Sequence, residues 1–201
     1  MIDTQQLTVV HHDTVVRWHE QEIDNPHDGV MGLICTQHSF NFKLWHEEDV
    51  ARSVDVTDER IAQVKRAIDG LNQQRNDWIE KVDDWFNESL NSKGIEPASD
   101  ATLNTETPGS VIDRLSILSL RLYHLQEQTE RADVDQQHID SVQRKLTICR
   151  VQQHDLTNSL GELLDDIQSG RKQHKTYRQF KMYNDPTLNP YLYQSQERKA
   201  G

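Results

Sequence analysis

The sequence predicts an all-α protein, an elongated up-down bundle of about five helices with an aromatic, partly extended C-terminal tail. Three observations predict it. Apolar residues recur at helical spacing, glycine and proline number only 8 and 5 in 201 residues, and no alternating Val/Ile/Thr-rich run is bounded by turn residues. A hydrophobic fraction of 34% beside a charged fraction of 27% suits narrow apolar stripes on otherwise polar helices. The chain, 1–201, reads as one helical domain, with a flanking N-terminal helix in 1–27, the bundle core in 28–170 and a C-terminal arm in 171–201.

The first helix runs from about Thr4 to Glu22. Leu7, Val10, Val15 and Trp18 make a thin stripe on it, and the Asn25-Pro26 turn stops it. The second follows Asp28-Gly29 and reaches about Arg52, with Leu33, Phe40, Leu44 and one side of Trp45 facing inward. Gln37, His38, Asn41, Glu48 and Asp49 are interleaved among them, which predicts a face that is polar yet covered. The third helix has Thr57 as N-cap, Asp58 and Glu59 where carboxylates suit the macrodipole, and Lys93-Gly94 at its end. Its stripe of Ile61, Val64, Ile68, Leu71, Trp78, Val82 and Trp85 belongs to a helix roughly 50 Å long.

A polar loop from Ile95 to Glu106 leads to a fourth helix opened by Thr107-Pro108-Gly109-Ser110, a cap with proline at the first helical position. That helix carries Val111, Leu115, Leu118, Leu122 and Leu125. The fifth starts near Asp133 or Asp135, keeps a heptad register from Ile139 through Cys149 to Ile167, and ends at Gly170. Interior Gly70 and Gly161 predict close approach of a helix or ligand, because each otherwise weakens its helix by about 1 kcal/mol relative to alanine. The aromatics Tyr177, Phe180, Tyr183, Tyr191 and Tyr193 predict a tail that packs back onto the bundle or onto a second copy.

A formal charge of −11 argues against a nucleic-acid backbone or an anionic membrane surface as partner. The N-terminus lacks the basic and apolar regions of a secretory signal, and no run of about 18 apolar residues exists to span a bilayer. Two cysteines, Cys35 and Cys149, without CxxC pairing, fit a reduced, cytoplasmic setting. No GxSxG, P-loop or GxGxxG occurs, and the ten histidines show neither HExxH nor zinc-module spacing, which argues against a zinc enzyme. Cys149 sits at a heptad core position and reads as a small hydrophobe.

Arg75 interrupts the stripe of the third helix, which puts an always-charged guanidinium on the core face, close to Asp69, Asn72, Asn76 and Asp77. Neighbouring helices are therefore expected to offer carboxylates, amides or a ligand at that level, since an unpaired buried charge is strongly destabilising. The candidate ligand-binding residues begin with Arg75, Asn72 and Asn76. Ser110, Arg114, Arg121 and His124 join them, because a helix start with a glycine beside its cap suits an anion. Arg114 and Arg121, seven apart and on one face with His124, suit a phosphate or carboxylate, and Asp113 lies in the same stretch. Lys181, Tyr183 and Asn184 complete the set as a polar, aromatic lid. A second constellation, Glu48 and Asp49 facing Asp77 and Glu80, is a candidate Mg²⁺ site, with an acidic helix surface as the plainer explanation.

The segments FNFKLWHEEDVAR (40–52), IDGLNQQRNDWIEKVD (68–83), LNTETPGSVIDRLSILSLRLYHL (103–125) and YRQFKMYNDPTLNP (177–190) resemble the bacterial family catalogued as domain of unknown function 4254. The resemblance implies an all-helical cytoplasmic bacterial protein, often encoded near glycosyltransferase genes of cell-envelope polysaccharide synthesis. It carries over no activity.

Three readings follow. In the first, the bundle holds a small anionic ligand, a phosphorylated sugar or nucleotide sugar, between Arg75, Arg114, Arg121, Lys181 and the start of the fourth helix. The second is a Mg²⁺-dependent phosphoester or pyrophosphate hydrolase in which the carboxylates hold the metal. The third is an oligomeric scaffold without a pocket; long heptads and the aromatic tail suit a homodimer.

Overall fold

The computed structural model describes residues 2–179, 182 and 185–194. Five long helices, α1 (Thr4–Glu20), α2 (Gly29–Arg52), α3 (Asp58–Ser92), α4 (Pro108–Thr129) and α5 (Gln136–Gln168), carry the fold, with two-residue strands β1 (Thr102–Leu103) and β2 (Lys172–Gln173). The protein is all-α, as its sequence predicts. Four helices start where a side chain relieves the orphan amides of the first turn. Asp3 accepts from the amides of Gln5 and Gln6, Thr57 from Arg60, Thr107 from Ser110, and Asp135 from His138.

Helix α4 is the axis, packed against α1, α2, α3 and α5. Three apolar clusters gather around it. The largest joins all five helices through residues such as Leu7, Ile34, Val82, Ile112 and Leu160. A second unites Val15, Trp18, Cys35, Phe42 and Leu120, and a third joins Leu44 to Val64 and Ile68 on the α2–α3 pair. Fully burying such a side chain contributes about 1.5–3 kcal/mol, so these clusters drive assembly.

Several elements depart from expectation. Helix α1 does not merely flank the bundle: Leu7, Val10, His11, Thr14, Val15 and Trp18 are all buried, against α2, α4 and α5. Its stripe looks thin because His11 and Thr14 are polar in type but covered in fact. On α2 the buried face is Ile34, Cys35, Gln37, His38, Asn41, Phe42 and Leu44, whereas Leu33, Phe40, Trp45 and Glu48 are half-buried and Asp49, expected on the covered face, is exposed. A helix touched by α1, α3 and α4 has no single apolar stripe to reveal its orientation.

The expected close approach at the interior glycines is absent. Nothing lies within 4 Å of a Cβ built at Gly70, and Gly161 would make an ordinary 3.7 Å contact with Thr4. Close approach occurs instead at Gly109, where a Cβ would sit 2.7 Å from the Ile79 carbonyl oxygen and 2.8 Å from Asp83 Oδ1.

The loop before α4 is clipped to the end of α5 by the parallel β1–β2 pair, a short strand pairing that periodicity does not foresee. Gly170, at φ +74°, turns the chain out of α5 there. The described part of the arm then runs back along α3 and is held there by polar contacts, Phe180 and Tyr183 lying outside the described residues. His174 Nε2 donates to the Asp83 carbonyl, Asn87 to Thr176, and Arg178 pairs with Glu80 and Asp84, while Tyr177 and Tyr191 stay exposed. No described helix is long and apolar enough to cross a membrane.

Candidate functional site

Between the apolar clusters lies a buried polar layer built on α4. Asp113 and Ser116, three residues apart, occupy core positions and are 5% and 0% exposed. Gln37 Nε2 and Asn41 Nδ2 donate to Asp113 Oδ1 at 2.6 and 2.9 Å, and Asn41 Nδ2 also donates to Ser116 Oγ at 2.8 Å. Arg75 Nε lies 3.3 Å from the same carboxylate oxygen, an ion pair too poorly aligned to be a hydrogen bond, so this buried N–H lacks an acceptor. The charge that interrupts the α3 stripe thus finds its counter-charge on α4.

The layer continues to His38. Its Nε2 is 3.1 Å from the carbonyl oxygen of His11, which can only accept, so Nε2 carries the proton. Nδ1 must then accept from the Ser116 hydroxyl, 2.6 Å away. Burial, then the neighbouring His11, holds the His38 pKa well below its usual range, which keeps the ring neutral. His11 stacks on it at 4.5 Å, and burial takes its pKa down to about 3. Both His11 ring nitrogens are buried without partners. At Asp113, burial raises the carboxyl despite Arg75, Asn41 and Gln37, all of which favour the anion.

Above this layer a cavity of about 330 Å³ opens between α2, α3 and α4. Asn41, Arg75 and Asn72 give it hydrogen-bonding groups, Trp45, Leu44, Ile117 and Leu120 an apolar wall, and Glu48, Asp49 and Arg52 a charged rim. A concave site with an apolar wall, a few convergent polar groups and a shifted carboxyl beneath it is the usual form of a small-molecule site.

The remaining candidates go elsewhere. Ser110 sits in the first turn of α4, but the amides there are already used: Gly109 N donates to Asp83 Oδ1 at 2.7 Å and Ser110 N to Thr107 Oγ1 at 3.2 Å. The predicted anion at this helix start is thus the protein's own buried Asp83. Arg114 is paired with Glu106 at 2.8 Å, and it and Arg121 line a separate groove of about 590 Å³ between α4 and α5. His124 lies apart from that groove, stacked on Trp45. Asn76 is half-buried and lines neither depression. Lys181, Tyr183 and Asn184 lie outside the described residues.

The candidate Mg²⁺ quartet is divided. Glu48 and Asp49 line the cavity, with Glu48 bound by Arg52. Glu80 instead receives Arg178 and the Gln179 amide, and Asp77 receives Gln73 one turn away. Among the described residues these four do not form a metal-holding group.

Fold and site together define a class: an all-α bundle in which a buried ionic layer underlies a solvent-facing cavity between three helices. A family model described as "Protein of unknown function (DUF4254)" matches residues 31–176, and the chain belongs to that family. Every residue lining the cavity falls within the matched span. No curated protein and no solved structure matches the chain.

Proposed function

We propose that this protein binds a small anionic ligand, phosphorylated or sugar-nucleotide-like, in the α2–α3–α4 cavity. Arg75 carries the reading. Its guanidinium lines the cavity beside buried Asp113, which fixes the side chain through one edge and leaves the planar fork suited to a phosphate or carboxylate. Trp45 supplies a flat apolar surface for a ring, and Asn41 and Asn72 supply amides for hydroxyl groups. The setting implied by the family resemblance, cell-envelope polysaccharide synthesis, is rich in such molecules.

The test is thermal unfolding of the full chain with a nucleoside diphosphate, a sugar 1-phosphate or inorganic phosphate, each with and without Mg²⁺. A ligand at 100 times its Kd stabilises the native state by about 2.7 kcal/mol, a readily measured rise in melting temperature. The rise is expected without metal, is lost in Arg75→Ala and is kept in Arg66→Ala, whose side chain is exposed on the same helix. A rise that requires Mg²⁺ would favour the hydrolase reading instead. No rise, or an equal rise in Arg75→Ala, refutes the assignment of the cavity.

A further inference from the structure

His19 on α1, His46 on α2 and His124 on α4 each offer a ring nitrogen, and these atoms lie within 4.8 Å of one another. Among the described residues no other group of three or more His, Cys, Asp or Glu converges in this way. The rings stand nearly perpendicular to each other, at 73°, 74° and 80°, rather than stacking together.

The hydrogen bonds around them fix which nitrogens are available. His19 Nδ1 lies 2.7 Å from the Val15 carbonyl oxygen, an acceptor only, so its proton sits on Nδ1. His124 Nδ1 lies 2.7 Å from Glu127 Oε2 and by the same logic donates to that carboxylate. With the proton on Nδ1, the neutral form of each ring has its lone pair on Nε2. Both of these Nε2 atoms are buried without a hydrogen-bond partner. Buried polar atoms are rarely left so, and two of them in one cluster point to a missing electrophile. An imidazole whose far N–H is anchored on a carbonyl or carboxylate is also the usual form of a metal-bound histidine.

We propose that His19, His46 and His124 form a Zn²⁺ site. Three neutral imidazoles suit a borderline, nitrogen-preferring cation, whereas Mg²⁺ and Ca²⁺ demand oxygen ligands. Around a tetrahedral zinc the nitrogens stand about 3.3 Å apart, so the three rings would draw together by up to about 1.5 Å from the present 4.8 Å limit. The fourth position is left to water or to a ligand atom. The surroundings agree, since Asp49 and Glu127 bring negative charge to the three rings. The ion would join α1, α2 and α4. It would also fix Trp45, whose ring stacks on His124 at 4.8 Å and forms part of the cavity wall. This inference stands independently of the ligand assigned to that cavity.

The experiment uses the full chain stripped with chelator and titrated with Zn²⁺ alone, followed by calorimetry and melting temperature. One Zn²⁺ per chain with a rise in melting temperature is expected, and none with Mg²⁺. His46→Ala and His124→Ala should abolish stoichiometric binding, and the exposed His12→Ala should leave it unchanged. Glu127→Gln, at a half-exposed carboxylate, should weaken binding by about 10-fold, because it loosens the hold on His124. Co²⁺ in place of Zn²⁺ should give the visible absorption of a tetrahedral nitrogen-ligated ion. Absence of stoichiometric binding in the wild type overturns the proposal. So does binding that survives His46→Ala, or an affinity unaffected by Glu127→Gln.

Discussion

His11 makes the stability of this protein pH-dependent in a calculable way. Its ring is fully buried, both nitrogens lack partners, and burial lowers its pKa from 6.5 to about 3. Between these values the unfolded chain binds a proton that the folded chain refuses, so stability falls as pH drops through the window. Above 6.5 the penalty is absent. Each unit within the window removes about 1.4 kcal/mol, so moving from about pH 7 to about pH 5 removes about 2 kcal/mol through His11 alone. His38 acts in the same direction. Asp83 and Asp113, whose carboxyls burial raises, act in the opposite direction nearer their own range.

The contribution is isolated by comparing wild type with His11→Phe. That change keeps a flat ring against His38, loses no hydrogen bond and cannot titrate. Urea midpoints at several pH values should show the variant gaining about 2 kcal/mol relative to wild type over the two units, or about 1 M in midpoint. A difference that stays constant within about 0.5 kcal/mol refutes the reasoning and implies that His11 is protonated or solvated in the native state.

Other outcomes follow from the same geometry. Asp113→Ala leaves the Gln37 amide without its acceptor and Arg75 without its counter-charge, and should destabilise by about 2–4 kcal/mol in urea, discounted from a fully buried pair because the Arg75 side chain is 28% exposed. A loss below about 1 kcal/mol would mean that water reaches the pair. Gly109→Ala should cost about 1–3 kcal/mol, since its methyl meets the Ile79 carbonyl and Asp83, whereas exposed Gly70→Ala should stabilise by about 1 kcal/mol; calorimetric melting separates the two signs. Burial pushes the Cys35 thiol up to about 11, so thiol-labelling mass spectrometry near about pH 8 should find Cys35 unmodified in the native protein and modified in urea.

Some of this is legible in the chain before folding. Arg75 stands out because an always-charged side chain at a core position of a clean heptad requires a partner, and the partner exists. Asp113 is harder to see as that partner. Read along α4 it sits beside Arg114 at a helix start, where an acidic residue is unremarkable, although Asp113, Ser116 and Ser119 at three-residue spacing trace a polar line through an apolar helix. The proposed anion stripe is divided because sharing a helix face does not mean sharing a depression: Arg114 and Arg121 share the groove toward α5, while His124 turns toward α1 and α2.

The histidine trio leaves no trace in local spacing. Motif rules find ligands a few residues apart on one element, whereas positions 19, 46 and 124 become neighbours only when three helices pack. What the sequence determined by itself is what depends on neighbours along the chain: the helix starts at Thr57 and Thr107, the approximate helix lengths, and the one charge out of place on α3. Tertiary structure alone decided which carboxylate answers that charge, which amides the α4 start has left, and where a cavity opens. These depend on distances between residues far apart in the chain, and periodicity along one helix says which face is covered without saying by what.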